Sequence, residues 1–110
     1  MRDPLRFQPF LRPMVWGGRL LQQFLDKSLP TPESYGESWE ISDHPSHLSL
    51  VHTGPHAGRT LRQLVDQDSH ALIGDSSVKQ FPWLVKFLDA HDWLSVQVHP
   101  DEEKVRHLLP

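Results

Sequence analysis

Polar and apolar positions alternate over Gly36–Ser42 (GESWEIS), with Glu37, Trp39 and Ile41 on one face and Ser38, Glu40 and Ser42 on the other. That two-residue period predicts a strand. Leu48–His52 is a second strand, and Leu5–Phe10, bracketed by prolines, reads as a short edge strand. Trp16-Gly17-Gly18 reads as a turn, after which Leu20, Leu21, Phe24 and Leu25 take up the spacing of a short amphipathic helix. Ser28–Ser34 and Gly74–Gln80 are loops by composition. Thr60 is placed to cap a helix over Leu61–Asp66, with Leu61, Leu64 and Val65 as its apolar stripe.

The most apolar stretch, Phe81–Asp89 (FPWLVKFLD), is interrupted only by Lys86. A turn at Ala90–Asp92 leads into Leu94–His99, so these two strands are expected to pair antiparallel. Asp101 then caps a short helix with Glu102 and Glu103 in its first turn, where the helix dipole favours acids. Ten prolines favour short elements over long helices, and the architecture expected is mainly β with short helices. Nothing after residue 100 resembles a closing strand, so a barrel or sandwich built from this chain would be incomplete.

Composition narrows the functional classes. The chain has 110 residues, enough for one domain, with 37% hydrophobic and 23% charged residues, close to the globular average. A net charge of −3 offers no basic footprint for nucleic acid. No apolar run approaches a membrane span, and MRDPLRFQPF lacks the apolar core of a signal peptide. The absence of cysteine excludes disulfides and thiolate zinc sites and agrees with a cytoplasmic protein. Eight histidines make a metal site worth testing.

Three constellations carry candidate chemistry. In LSVQVHPD (Leu94–Asp101), strand alternation puts Ser95, Gln97 and His99 on one face. Backbones two residues apart lie roughly 6.5–7 Å apart, so Gln97 and His99 could converge on one ion, although solvent would satisfy a polar strand face equally well. A catalytic zinc takes at least three protein ligands, so the remainder would come from elsewhere. Lys86 either holds an anionic group or snorkels to water from a strand edge. His44, His47, His52 and His56 have no accompanying acid motif and read better as solvated loop residues than as a metal site. Glu37 and Glu40 lie on opposite strand faces and do not form a carboxylate pair, while Trp16, Trp39, Trp83 and Trp93 are expected to pack the core.

Taken in order, Trp16-Gly17-Gly18, GESWEIS at Gly36–Ser42, LVKFLDA at Leu84–Ala90 and LSVQVHPD at Leu94–Asp101 resemble the type I mannose-6-phosphate isomerases, over nearly the whole chain from Pro4 onward. The resemblance implies part of a cupin-type (jelly-roll) β-barrel, residues 1–110 being the N-terminal portion of a single isomerase domain. It implies zinc-dependent interconversion of mannose 6-phosphate and fructose 6-phosphate through a cis-enediol, with one zinc ion per complete site. Gln97 and His99 would be two of the zinc ligands, and a glutamate and second histidine beyond Pro110 the others. Lys86 and Ser95 would line the sugar-phosphate pocket and Trp16 and Glu37 border it, with no general base assigned. With half the ligand set, the 110-residue chain alone is expected to be inactive. Two other classes compete: a non-catalytic cupin-like sugar- or metal-binding module, and a histidine-rich metal-handling protein built on His44–His56.

Overall fold

The computed structural model describes residues 4–94. Its elements are β1 (Phe10–Gly18), α1 (Leu20–Leu25), β2 (Tyr35–Ile41), β3 (Asp43–His44), β4 (His47–Leu48), α2 (Leu61–Ile73) and β5 (Val85–Leu88). β1, β2 and β5 form an open antiparallel sheet with β2 at its centre, and β3 and β4 form a small separate hairpin. The fold is mainly β with short helices, as expected. Among the described residues no helix is long and apolar enough to cross a membrane.

The register fixes what shares a face. Trp39 lies between Phe10 and Lys86, and Glu37 lies between Arg12 and Leu88. These six residues therefore belong to one face of the sheet, while Leu11, Ser38 and Phe87 align on the other. The alternation of GESWEIS is thus the organising pattern of the sheet. Its two acids also part as expected: Glu40 accepts from Ser38 Oγ at 2.7 Å and pairs with Lys27 at 2.8 Å, away from Glu37.

α2 begins as its sequence dictates. Thr60 Oγ1 accepts from the backbone N–H of Gln63 at 3.1 Å, and the Gln63 side chain accepts from Thr60 N at 2.9 Å, a reciprocal cap that satisfies two orphan donors. Leu61, Leu64 and Val65 are buried, with Val51, in the core. The helix continues seven residues past the expected end at Asp66, kinks at Asp68 and stops at Gly74 in a left-handed conformation. Polar residues over Gln67–His70 concealed this extension, because they interrupt the apolar stripe before the half-buried Leu72 and Ile73.

Several other expectations are corrected. Trp16-Gly17-Gly18 is the end of β1 and not a turn; a Cβ on Gly17 would overlap the Tyr35 carbonyl, so glycine here permits strands to approach closely across a bulge between Pro13 and Gly18. Leu5–Phe10 is not a strand before Phe10, but it runs beside residues 50–52 through Gln8 N to Leu50 O at 2.8 Å and His52 N to Arg6 O at 2.7 Å. Likewise, Leu48–His52 is divided between the end of β4 and single bridges at Leu50 and Val51. Only Val85–Leu88 of Phe81–Asp89 is strand. Pro82 has no N–H, and Phe81 N donates instead to the Asp43 carboxylate at 3.0 Å. Trp39 is buried, but Trp83 and Trp93 are 71% and 94% exposed and do not pack the core of this span. The expected partner strand Leu94–His99 and the helix after Asp101 lie outside the described residues from position 95 onward.

Asp43 and Asp89 secure the periphery. Asp43, at 3% exposure, pairs with Arg62 of α2 at 3.1 Å as well as holding Phe81 N. Asp89, at the end of β5, accepts from Leu20 N at 2.9 Å and so anchors the first turn of α1.

Candidate functional site

The charged face of the sheet holds the candidate site. Glu37 is 5% exposed, and its carboxylate is built into a network from three strands. Oε1 accepts from Lys86 Nζ at 2.7 Å and from Trp39 Nε1 at 3.1 Å, and Oε2 faces the Arg12 guanidinium at 3.5 Å. Both cations also lie over the Trp39 ring, Arg12 at 5.2 Å and Lys86 at 5.7 Å from its centre. Burial pushes the Glu37 carboxyl up, but hydrogen bonds from Lys86 and Trp39 and the charges of Lys86 and Arg12 outweigh it and hold the group below the usual glutamate range. Glu37 is therefore an anion at neutral pH and a poor proton acceptor. Its role is to orient.

The Lys86 side chain is about one-third exposed, so its apolar surroundings in sequence do not bury it. Glu37 occupies one of its three donor directions and leaves others for an incoming anion. An aromatic wall flanks the cluster: Phe10 stacks on His47 at 4.0 Å between centroids, and Trp39 meets Phe10 edge-on at 5.6 Å. Burial lowers the His47 pKa, which keeps the imidazole neutral in this stack.

Of the residues singled out in sequence, Glu37 and Lys86 are brought into contact. Trp16 is half-buried and packs against Gly36, which alternates with Glu37, so its ring lies on the other side of β2. Its carbonyl accepts from His91 N at 2.9 Å and Asp92 N at 3.0 Å, tying β1 to the segment after β5. Ser95, Gln97 and His99 lie outside the described residues. Among the described residues no three His, Asp or Glu side chains are grouped to hold a metal ion, and His44, His47, His52 and His56 form no such site. The oxygen and nitrogen donors of Gln97 and His99 are of the kind zinc accepts, but they supply only two ligands.

Sequence reasoning missed Arg12. Its signal was its place two residues from Phe10 on a common face, obscured by Pro13. A separate apolar cavity of about 270 Å³, lined by residues including Leu5, Phe7, Leu61 and Phe81, has no titratable side chain in its wall. Its described lining offers no charged contact for an anion, whereas the sheet face offers the Lys86 ammonium and the Arg12 guanidinium.

Residues 5–109 match the model of the phosphomannose isomerase type I catalytic domain. The mannose-6-phosphate isomerase of Streptococcus mutans is 43% identical over 101 residues, covering 92% of this chain and 31% of that protein. The crystal structure of the mannose 6-phosphate isomerase from Bacillus subtilis superposes with a TM-score of 0.84 at 35% identity, over 96% of this chain and 33% of that one. A phosphomannose isomerase from Salmonella typhimurium shares the fold at a TM-score of 0.72 and 22% identity, over 91% of this chain and 26% of its own. The chain belongs to the type I phosphomannose isomerase family, and its open sheet is part of that family's cupin fold. It spans about a third of the length of the relatives it matches.

Proposed function

We propose that this chain forms part of a zinc-dependent isomerase that interconverts mannose 6-phosphate and fructose 6-phosphate. The observation that carries the reading is the family match over residues 5–109, within which a buried acid holds an ammonium group ready for an anion. Lys86 and Ser95 take the sugar phosphate and Glu37 orients Lys86, while Trp16, on the far side of β2, lies away from this face. Gln97 and His99 hold the zinc with a glutamate and a histidine that are not among these 110 residues. A bound zinc would supply Lewis-acid polarisation of the substrate carbonyl. The protein's task is then to fix the sugar so that a proton passes between adjacent carbons. A cytoplasmic setting, as expected from sequence, completes the proposal.

Two ligands make a weak zinc site, so the 110-residue chain alone is inactive in this reading. The test replaces the matching segment of the Streptococcus mutans isomerase with residues 1–110 and measures isomerisation and zinc content. An active chimera that loses zinc on Gln97→Ala or His99→Ala supports the proposal. A folded chimera that binds zinc without turnover overturns the enzyme reading in favour of a binding module, and turnover by the 110-residue chain alone refutes its inactivity.

A further inference from the structure

Two cations face one carboxylate on the sheet. Lys86 is the close partner of Glu37, at 2.7 Å on an oxygen that Trp39 also engages. Arg12 is the loose one: among the described residues its polar partner is Glu37 Oε2, at 3.5 Å, while its side chain is 39% exposed. Glu37 neutralises one charge, so the face carries a surplus of one positive charge. That surplus is best assigned to Arg12, because its contact is longer and a planar guanidinium has five donors.

The backbone places Arg12 where a side chain can be re-aimed. Arg12 is the last residue of β1 in regular register with β2 before the irregularity at Pro13, and such breaks re-aim side chains. Stacking over Trp39 keeps the guanidinium near the Lys86 ammonium whether or not it touches Glu37. A tetrahedral dianion approaching this face would meet an arginine fork able to exchange one long contact for two short ones.

We propose that Arg12 is a second anion-contacting residue of the site, taking the phosphate group of the sugar phosphate beside Lys86, which keeps its bond to Glu37. This rests on the sugar-phosphate reading above but adds a residue to it. Arg12 binds the phosphate in a bidentate manner, a geometry that lysine cannot reproduce. Glu37 then serves as the resting partner of Arg12, preventing it from collapsing elsewhere before the anion arrives.

The experiment is an NMR titration of the 110-residue chain at constant ionic strength. Inorganic phosphate, fructose 6-phosphate and fructose are added separately while the Arg12 Nε–H and Trp39 Nε1–H signals are followed. Saturable shifts of both signals with phosphate and fructose 6-phosphate, and none with fructose, are expected. Arg12→Gln should weaken phosphate binding at least about tenfold, through loss of the bidentate charge-assisted contact, with Arg12→Lys recovering only part. No phosphate binding, an unmoved Arg12 signal, or unchanged affinity in Arg12→Gln overturns the proposal. Should Arg12→Gln fail to fold, the parent titration and Arg12→Lys still decide it. Arg12-dependent phosphate binding beside an inactive, zinc-binding chimera would retain this contact and remove the isomerase reading, so the two failures are separable.

Discussion

Lys86 reaches Glu37 on a diagonal. Its direct cross-strand neighbour is Trp39, yet its ammonium turns toward the residue two positions away and closes to 2.7 Å on Oε1. Diagonal pairs lie farther apart at the backbone than direct ones, so a long side chain is required to span them. Lysine has the length, and Trp39 beneath supplies the surface along which it lies.

Replacing Glu37 by glutamine removes the charge but keeps the shape. Buried carboxylates with charged partners are costly to disturb, and a loss of about 1–3 kcal/mol is expected in urea denaturation. The pH dependence is diagnostic. Folded Glu37 titrates below its unfolded value, so its contribution is complete above the ordinary glutamate range and disappears as pH falls through the lowered folded value. Glu37→Gln should therefore show a shallower loss of stability than the parent as pH falls below the ordinary glutamate range.

The Asp43–Arg62 pair should respond asymmetrically. Its carboxylate side chain is fully buried and its guanidinium side chain 30% exposed. Arg62→Met leaves a buried charge without its counter-ion and should cost about 3–5 kcal/mol. Asp43→Asn leaves a guanidinium that still reaches water and still donates to the Lys79 carbonyl, so the smaller loss is expected. Equal losses in thermal denaturation would contradict this account.

Thr60→Ala removes the cap of α2 and should cost about 1 kcal/mol, whereas Thr60→Ser should be nearly neutral. Leu64, with no exposed surface, belongs to a different class: Leu64→Ala should cost about 2–5 kcal/mol through lost contacts and a residual cavity. Circular dichroism melts of the variants test this ordering.

Gly17→Ala tests the close approach of β1 and β2. The added methyl would meet the Tyr35 backbone, which cannot rotate away as a side chain could. A loss of about 1–3 kcal/mol or more is expected. Gly54→Ala provides the contrast, since its surroundings are open and its penalty arises only from a positive φ of 88°.

Thr60 and the alternation of Gly36–Ser42 were legible because their signals are local: a cap three residues from its partner, and a period of two. Lys86 stood out as a lone charge in an apolar run. Its bond to Glu37 was not legible, because the two residues are 49 positions apart and only the register of β2 with β5 joins them. β1 was hidden for a different reason. Pro13 and the paired glycines have turn propensity, but pairing with β2 accommodates them through irregular register. Tertiary structure overrode a local preference there. Nothing nearby in sequence announces that Asp43 and Asp89 will each receive a distant backbone N–H.

β2 carries one acid toward each side of the sheet, and each acid has a separate cation: Lys86 for Glu37 and Lys27 for Glu40. A slip of one residue would turn every side chain of β2 to the opposite side, exchanging the two acids between the faces and parting Glu37 from Arg12 and Lys86. The native alignment instead gives the deeply buried acid two cations and the half-buried Glu40 one, so that counter-charge follows burial across the central strand.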